Sequence, residues 1–466
     1  MEPRLAVRPV APDPPAPTWR GGDLTALASA LILIGLAAIV GRALLDRGVA
    51  IVLPAPPLLA HWDPHLGWGS PLAVLCVFAG LRLQQVAAHL SWRRLLRTGW
   101  LLALAWMCSL TLIDGFRKGW TGVLLDPNEY LHDLPRISSP LVFLSTFTRY
   151  IAFGDGVTGD NVWTTHVAAH PPLATLSFWV LDRMGLSGGF WAGALCVLVS
   201  SVAAVAVPAA VRELGAPAAA RRLVPFAALF PGAVWMAVSA DGLFAGVAAG
   251  GLALVCRGVC RRALGFALAG GLSLGLAIFL SYGLVLFGIV VLVVAGITWR
   301  RHGLGQVLAP WLVAALGVVA VVALHLALGF NWVTGLAQLR LRYYQGIASS
   351  RPFSYFLYAN VAAWLVSCSP VLAVGVARGL AVLFRRRRSG WTQDRVVSLV
   401  ALAGVLAALV ADLSALSKAE TERIWLTFGV AANSSLALLR GRGAAWALVG
   451  CSGWALAVNH LLDTGW

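Results

Sequence analysis

The stretch LTALASALILIGLAAIVGRAL, residues 24–44, carries a single charge, Arg42, in 21 residues. A helix of that length rises roughly 30 Å, which is the depth of a bilayer's hydrocarbon core. It has no polar face to turn toward water and no proline to break it, so it reads as a membrane span. Apolar runs of about 17 to 25 residues recur along the rest of the chain, separated by short basic or polar connections.

Composition points the same way. Of 466 residues, 59% are hydrophobic and 12% charged, the mean hydropathy is +0.81, and an ordinary soluble domain carries roughly 25% charged residues. The expected fold is all-α, a polytopic membrane protein with about thirteen transmembrane helices and a large first external loop bearing amphipathic surface helices. Residues 1–22 are Pro-rich and basic with no apolar h-region, and no small-residue cleavage site follows the first apolar run. They read as a disordered cytoplasmic tail and not a signal peptide, leaving 23–466 as one transmembrane domain.

A formal charge of +16 raises the question of nucleic acid. The arginines, however, sit in short clusters between apolar runs and not along one soluble face: Arg93, Arg94 and Arg97; Arg257, Arg261 and Arg262; Arg300 and Arg301; Arg385 to Arg388; Arg440 and Arg442. Under the positive-inside rule these are cytoplasmic loops, and no nucleic-acid partner is expected. With the N-terminus inside, the segments 114–170, 331–355 and 414–423 are external, as is Asp241. Between His170 and Arg212 an odd number of crossings is required, yet two apolar pieces are present, 171–181 and 190–211. The first is short for a span and is expected to be partly re-entrant. There is no internal repeat of the kind many transporters carry. The seven cysteines lie in or at the ends of apolar runs, so no disulfide framework is expected. Cys256 and Cys260 have no second pair of ligands, and no metal site is assigned.

The 114–170 loop concentrates the acidic chemistry, with Asp114, Asp126, Glu129, Asp133, Asp155 and Asp160 making six of the nineteen acidic residues. Aromatic and aliphatic residues between them suit short amphipathic helices on the membrane surface, where carboxylates meet the head group of a lipid-linked substrate. The loop ends His166-Val-Ala-Ala-His170-Pro171-Pro172, with prolines that can open a helix. The two histidines either hold an anionic phosphate or simply cap that helix.

These features resemble the C-type superfamily of integral-membrane glycosyltransferases, which use polyprenyl-phosphate sugars. The resemblance rests on Asp126-Pro-Asn-Glu129-Tyr130 after an early span, on the large external loop, on the His170-Pro171-Pro172 helix start, and on Pro231 followed by Ser239-Ala240-Asp241. It looks closest to actinobacterial members. The chain departs from the commonest pattern by placing the acidic motif after the third apolar run and by carrying no adjacent Asp-Glu pair.

The resemblance implies an inverting transfer of sugar from a polyprenyl-phosphate donor to a glycan or glycolipid acceptor of the cell envelope, on the extracytoplasmic face of the cell membrane. Asp126 or Glu129 then serves as base. Such chemistry also needs cations or dipoles for the departing phosphate, so His166, His170, Asp241, Arg342, Tyr344, Arg351, Glu420 and Arg423 are the candidate donor-binding residues. Snorkelling of Arg342 at the interface and a structural Glu420 to Arg423 pair are the plain alternatives. A divalent metal is compatible with the sequence and not required by it. The rival function is a transporter or lipid flippase, which calls for polar residues in mid-span, and those are nearly absent.

Overall fold

The computed structural model describes residues 19–154, 156–384 and 392–465. Most of the expected tail, Asp155 and the Arg385 to Arg388 cluster lie outside the described residues. The chain is all-α and polytopic, and the two-residue strands His61–Trp62 and Leu462–Asp463 form its only named sheet among the described residues. The first helix, Gly21–Asp46, begins just inside the expected tail boundary, where the Arg20 backbone N–H donates to Asp23 Oδ2 at 2.8 Å.

By length and apolar composition, seven helices among the described residues can cross a membrane, or nine if each of two bent pairs counts as one span. The bent pairs turn by 118° at Thr111–Phe116 and by 103° at Cys368–Val371. The other segments that the sequence counts toward thirteen are the shorter apolar helices Leu264–Leu280 and Leu426–Leu438, the C-terminal Gly441–Leu461 helix, and a helix interrupted between Pro217–Ala228 and Ala233–Met236. The difference in number therefore comes from two short helices, one broken helix and the less apolar C-terminal helix. At the last break the Trp106 indole donates to the freed Phe230 carbonyl at 3.2 Å, which satisfies backbone that lipid could not.

Contacts sort the connections onto two faces. On one, Arg221 donates to the carbonyls of Ala87 and Leu90, Arg222 to that of Ala437 and Arg301 to that of Leu214, while Arg261 pairs with Glu213, Arg378 with Asp23 and Arg440 with Asp394. On the other, His65 meets Asp114, Lys118 meets Asp463, and the two short strands join the segment after the first helix to the C-terminus. Arg221, Arg222, Arg261, Arg301, Arg378 and Arg440 thus all make their contacts among the connections of the first set.

The 171–211 stretch divides into a short helix and a long one. Pro172–Arg183 is a helix lying against the 114–170 loop: Trp179 Nε1 donates to the Ile137 carbonyl at 3.2 Å, and the Phe178 ring sits 5.4 Å from that of Tyr130. The next helix starts at the same loop, where Trp120 Nε1 donates to the Phe190 carbonyl at 3.2 Å. The single crossing belongs to Gly189–Glu213. Twelve residues rise only about 18 Å, so the first piece is too short to cross by itself.

Small residues let the spans approach closely. A Cβ on Gly271 would stand 1.9 Å from the Ala314 carbonyl oxygen, so the helices Leu264–Leu280 and Leu304–Ala327 meet backbone to backbone. Such contact replaces the hydrophobic driving force that lipid surroundings remove.

Candidate active site

Four segments far apart in sequence converge on the loop face. The first is the turn Asp126-Pro-Asn-Glu129. Asp126 Oδ1 accepts from the backbone N–H and the side-chain amide of Asn128, at 2.8 and 3.0 Å, and the Glu129 N–H donates to the Asp126 carbonyl at 2.9 Å. This is an Asx-turn, which Asp-Pro-Asn favours because the proline presets one dihedral and the short acidic side chain mimics a backbone acceptor. It leaves Asp126 exposed in the turn and carries Glu129, 3% exposed, into the protein.

The second segment is the short helix Thr165–Ala169, tied to the turn by the His166 N–H, which donates to the Asn128 carbonyl at 3.0 Å. His166 Nδ1 lies 2.6 Å from Glu129 Oε1. With the Nδ1 proton directed at the carboxylate, Nε2 is left to accept from Arg423 NH2 at 3.3 Å. His170 follows in extended conformation, as a residue before proline prefers, and Pro172 opens the surface helix. Its Nδ1 lies 2.8 Å from the Tyr130 hydroxyl and 3.0 Å from the His166 carbonyl. Burial pushes the His170 pKa below its ordinary value against the pull of Asp241, and burial raises that of the Tyr130 hydroxyl, with Glu129 and Asp241 adding to the effect.

The third segment is the start of the Ala240–Arg261 helix. Ser239 caps it by accepting from the Asp241 N–H at 3.1 Å, and Asp241 occupies the first turn, where the helix dipole favours a carboxylate. The fourth is the turn Thr421–Ile424, which delivers Arg423. Its guanidinium spans three acids: Nε is 3.2 Å from Asp241 Oδ2, NH1 is 3.7 Å from Glu129 Oε1, and NH2 is 3.3 Å from Glu420 Oε2. The Asp241 contact is an ion pair without hydrogen-bond alignment. Glu129 Oε2 is buried with no hydrogen-bond partner among the described residues.

Below this cluster an apolar groove of about 540 Å³ runs under the surface helix, lined chiefly by Leu173, Trp179, Val199, Leu243, Val247 and Leu276. Leu243 and Val247, one turn apart, give the groove one face of the Ala240–Arg261 helix, and none of the charged cluster residues lines it. Among the described residues no group of three or more His, Cys, Asp or Glu side chains is placed to hold a metal ion.

No family model matches the chain, and no curated protein matches it. Solved structures similar to it include ArnT from Cupriavidus metallidurans bound to undecaprenyl phosphate, at 17% identity over 76% of this chain and 63% of that one, with a TM-score of 0.45. The Archaeoglobus fulgidus oligosaccharyltransferase in complex with zinc and sulfate is similar at 14% identity over 84% of this chain and 53% of that one, with a TM-score of 0.43. The same enzyme tethered to an acceptor peptide with the NVT sequon gives 13%, 83%, 55% and 0.38 for the same quantities. The chain spans between half and two thirds of the length of each.

Of the ten residues picked from the sequence, Glu129, His166, Asp241, Glu420 and Arg423 form one cluster, with His170 beside it through Tyr130. The other four stand apart from it. Asp126 shapes its turn. Arg351 is 7% exposed and donates to the carbonyls of Ile51 and Lys418 at 3.0 and 2.7 Å. Arg342 lies over the Phe153 ring at 3.8 Å, and the Tyr344 hydroxyl donates to the Ala415 carbonyl at 3.1 Å. Two residues escaped the sequence reading. Tyr130 lay in the quoted motif without a role. Glu422, fully buried, accepts from the Leu59 N–H at 3.2 Å; two acids flanking Thr421 beside Arg423 were its only trace.

Proposed function

We propose that the chain is an integral-membrane glycosyltransferase that moves a sugar from a polyprenyl-phosphate donor to a hydroxyl of a cell-envelope glycan or glycolipid on the extracytoplasmic face, with Glu129 as base. One observation carries this reading: Glu129 is buried, one of its oxygens is held by His166 and Arg423, and the other has no partner among the described residues. A carboxylate so fixed is ready to take a proton from a hydroxyl brought to its open oxygen. The acceptor oxygen attacks the anomeric carbon as that proton passes to Glu129 Oε2. The bond from the anomeric carbon to the phosphate oxygen breaks, and the phosphate leaves with the electron pair. Attack from the face opposite the leaving group inverts the anomeric centre. The negative charge lost at Glu129 reappears on the phosphate, where Arg423, preset by Asp241 and Glu420, offers its guanidinium. The apolar groove along the Pro172–Arg183 and Ala240–Arg261 helices is of a size and character to take part of a lipid chain.

The test is transfer of labelled sugar by the purified protein from a panel of polyprenyl-phosphate sugars. Glu129→Gln lowers the transfer rate by about 100- to 10,000-fold, while Asp126→Asn, which alters only the turn, costs less than about tenfold. Full activity in Glu129→Gln with loss in Asp126→Asn would move the base to Asp126, and activity in both removes a loop carboxylate from the reaction.

A further inference from the structure

Arg423 is held in place by a turn that is itself in an unusual conformation. Between the helices Gln393–Leu413 and Thr421–Ile424, three residues with side chains adopt positive φ: Ala415 at 59°, Ala419 at 90° and Glu420 at 59°. Left-handed backbone is disfavoured wherever a Cβ is present, and it persists only when surrounding contacts fix it. Glu420 in that conformation closes the turn onto Arg423, with the Arg423 N–H donating to its carbonyl at 3.1 Å and its carboxylate 3.3 Å from the guanidinium.

Tyr344, Arg351 and Tyr343 hold the turn at Ala415 and Lys418, and one buried side chain grips it at two further points beside Glu420. Asn360 lies in the apolar helix Phe353–Cys368 and is 1% exposed. Its Nδ2 donates to Asp412 Oδ1 at 2.8 Å and to the Ser417 carbonyl at 2.5 Å, and its Oδ1 accepts from the Ala419 N–H at 3.1 Å. Its backbone carbonyl accepts from the Thr421 hydroxyl at 2.8 Å. The amide has one workable orientation. Turned over, its oxygen would face the Asp412 carboxylate and the Ser417 carbonyl, and its NH2 would face the Ala419 N–H. Buried Asp412, 2% exposed, thus selects the orientation that grips both Ser417 and Ala419.

A buried amide in a membrane helix is costly unless its bonds are made, and an ordinary helix clasp needs only the Asp412 contact. The other bonds go to the turn. We propose that Asn360 is a positioning residue of the site, holding the 415–420 turn so that the Arg423 guanidinium reaches Glu129, Asp241 and Glu420 together. Its kinetic consequence rests on the glycosyl-transfer reading; its structural consequence does not.

Two measurements separate these. Labelling of the purified full chain with phenylglyoxal, read at Arg423 by peptide mass spectrometry, reports the geometry without any substrate. Arg423 is 5% exposed and resists the reagent. Asn360→Asp, isosteric but with an oxygen where Nδ2 donates, raises its labelling rate roughly tenfold or more. Asn360→Ala, which removes both side-chain bonds to the turn, does the same, so the measurement stands if one variant fails to fold.

With a polyprenyl-phosphate sugar as substrate, Asn360→Asp lowers kcat by about 100-fold, as a misplaced catalytic group does, with the donor KM held within about twofold. In an Arg423→Lys background it adds less than about twofold. Folded variants in which Arg423 stays as protected as in the wild type overturn the inference, as do kcat losses that multiply in the double variant. A wild-type protein that transfers no sugar defeats the function proposed above while the labelling result still judges Asn360.

Discussion

Removing the guanidinium of Arg423 and then the charges it faces tests the electrostatic core of the site. The distances of 3.2 Å to Asp241 and 3.7 Å to Glu129 correspond to gross attractions of about 5 and 4 kcal/mol at an effective dielectric constant near 20. Taking each ion out of water costs several kcal/mol, so the intact cluster contributes little net stability. The balance changes when one member is deleted. Arg423→Gln leaves the carboxylates of Glu129 and Asp241, 3% and 7% exposed, facing each other without their cation. The expected loss is about 3–5 kcal/mol.

Adding Glu129→Gln and Asp241→Asn to Arg423→Gln takes the stranded charges away, and the triple variant recovers more than half of that loss. Thermal unfolding in detergent, followed by intrinsic tryptophan fluorescence, reads both effects. The single variant falls by roughly 3–5 °C, and the triple variant unfolds at a higher temperature than the single. A triple variant no more stable than Arg423→Gln refutes the reasoning, because its destabilisation would then come from lost packing and not from uncompensated charge.

Glu422 titrates in an accessible range: burial pushes its pKa from an ordinary 4.5 up to about 7. The folded state therefore binds the proton more tightly than the unfolded chain, and stability falls as pH rises from about 4.5 to about 7, by around 3 kcal/mol in all. Glu422→Gln flattens this dependence and raises the unfolding temperature at pH 8; an unchanged pH profile contradicts it. Gly271→Leu, which drives a side chain into the Ala314 carbonyl, separates two spans and costs about 1–3 kcal/mol or more, visible as a lower unfolding temperature; unchanged stability means the helices do not meet there. Arg351→Lys keeps the charge but cannot reach the Ile51 and Lys418 carbonyls together. It lowers stability by about 1–3 kcal/mol and changes the donor KM less than about threefold; a larger rise in KM with unaltered stability returns Arg351 to phosphate binding.

The two faces of the protein were legible because they follow from transfer free energy alone. Apolar runs and arginine clusters are one-dimensional properties, and they placed Glu129, His166, Asp241 and Arg423 on one face before any contact was known. Two faces do not make a site, though. Arg351 and Arg423 look alike in sequence, each an arginine at the start of an apolar run on the loop face. One meets backbone carbonyls and the other carboxylates, and that difference depends on which segments from 51, 129, 241 and 418 lie beside them. Single-sequence patterns carry no such pairing, and the same holds for Asn360, whose lone polarity in an apolar helix signals a partner without naming it.

The choice between Asp126 and Glu129, by contrast, was open to local reasoning. Asp-Pro-Asn is turn chemistry: the carboxylate of Asp126 already has a backbone and a side-chain donor two residues on. An acid occupied in shaping its own turn is poorly placed to accept a proton from a substrate. Glu129 comes after that turn, and extended backbone carries it inward toward His166. Turn propensity, usually read only for secondary structure, thus separates a scaffold carboxylate from a candidate base within four residues of one another.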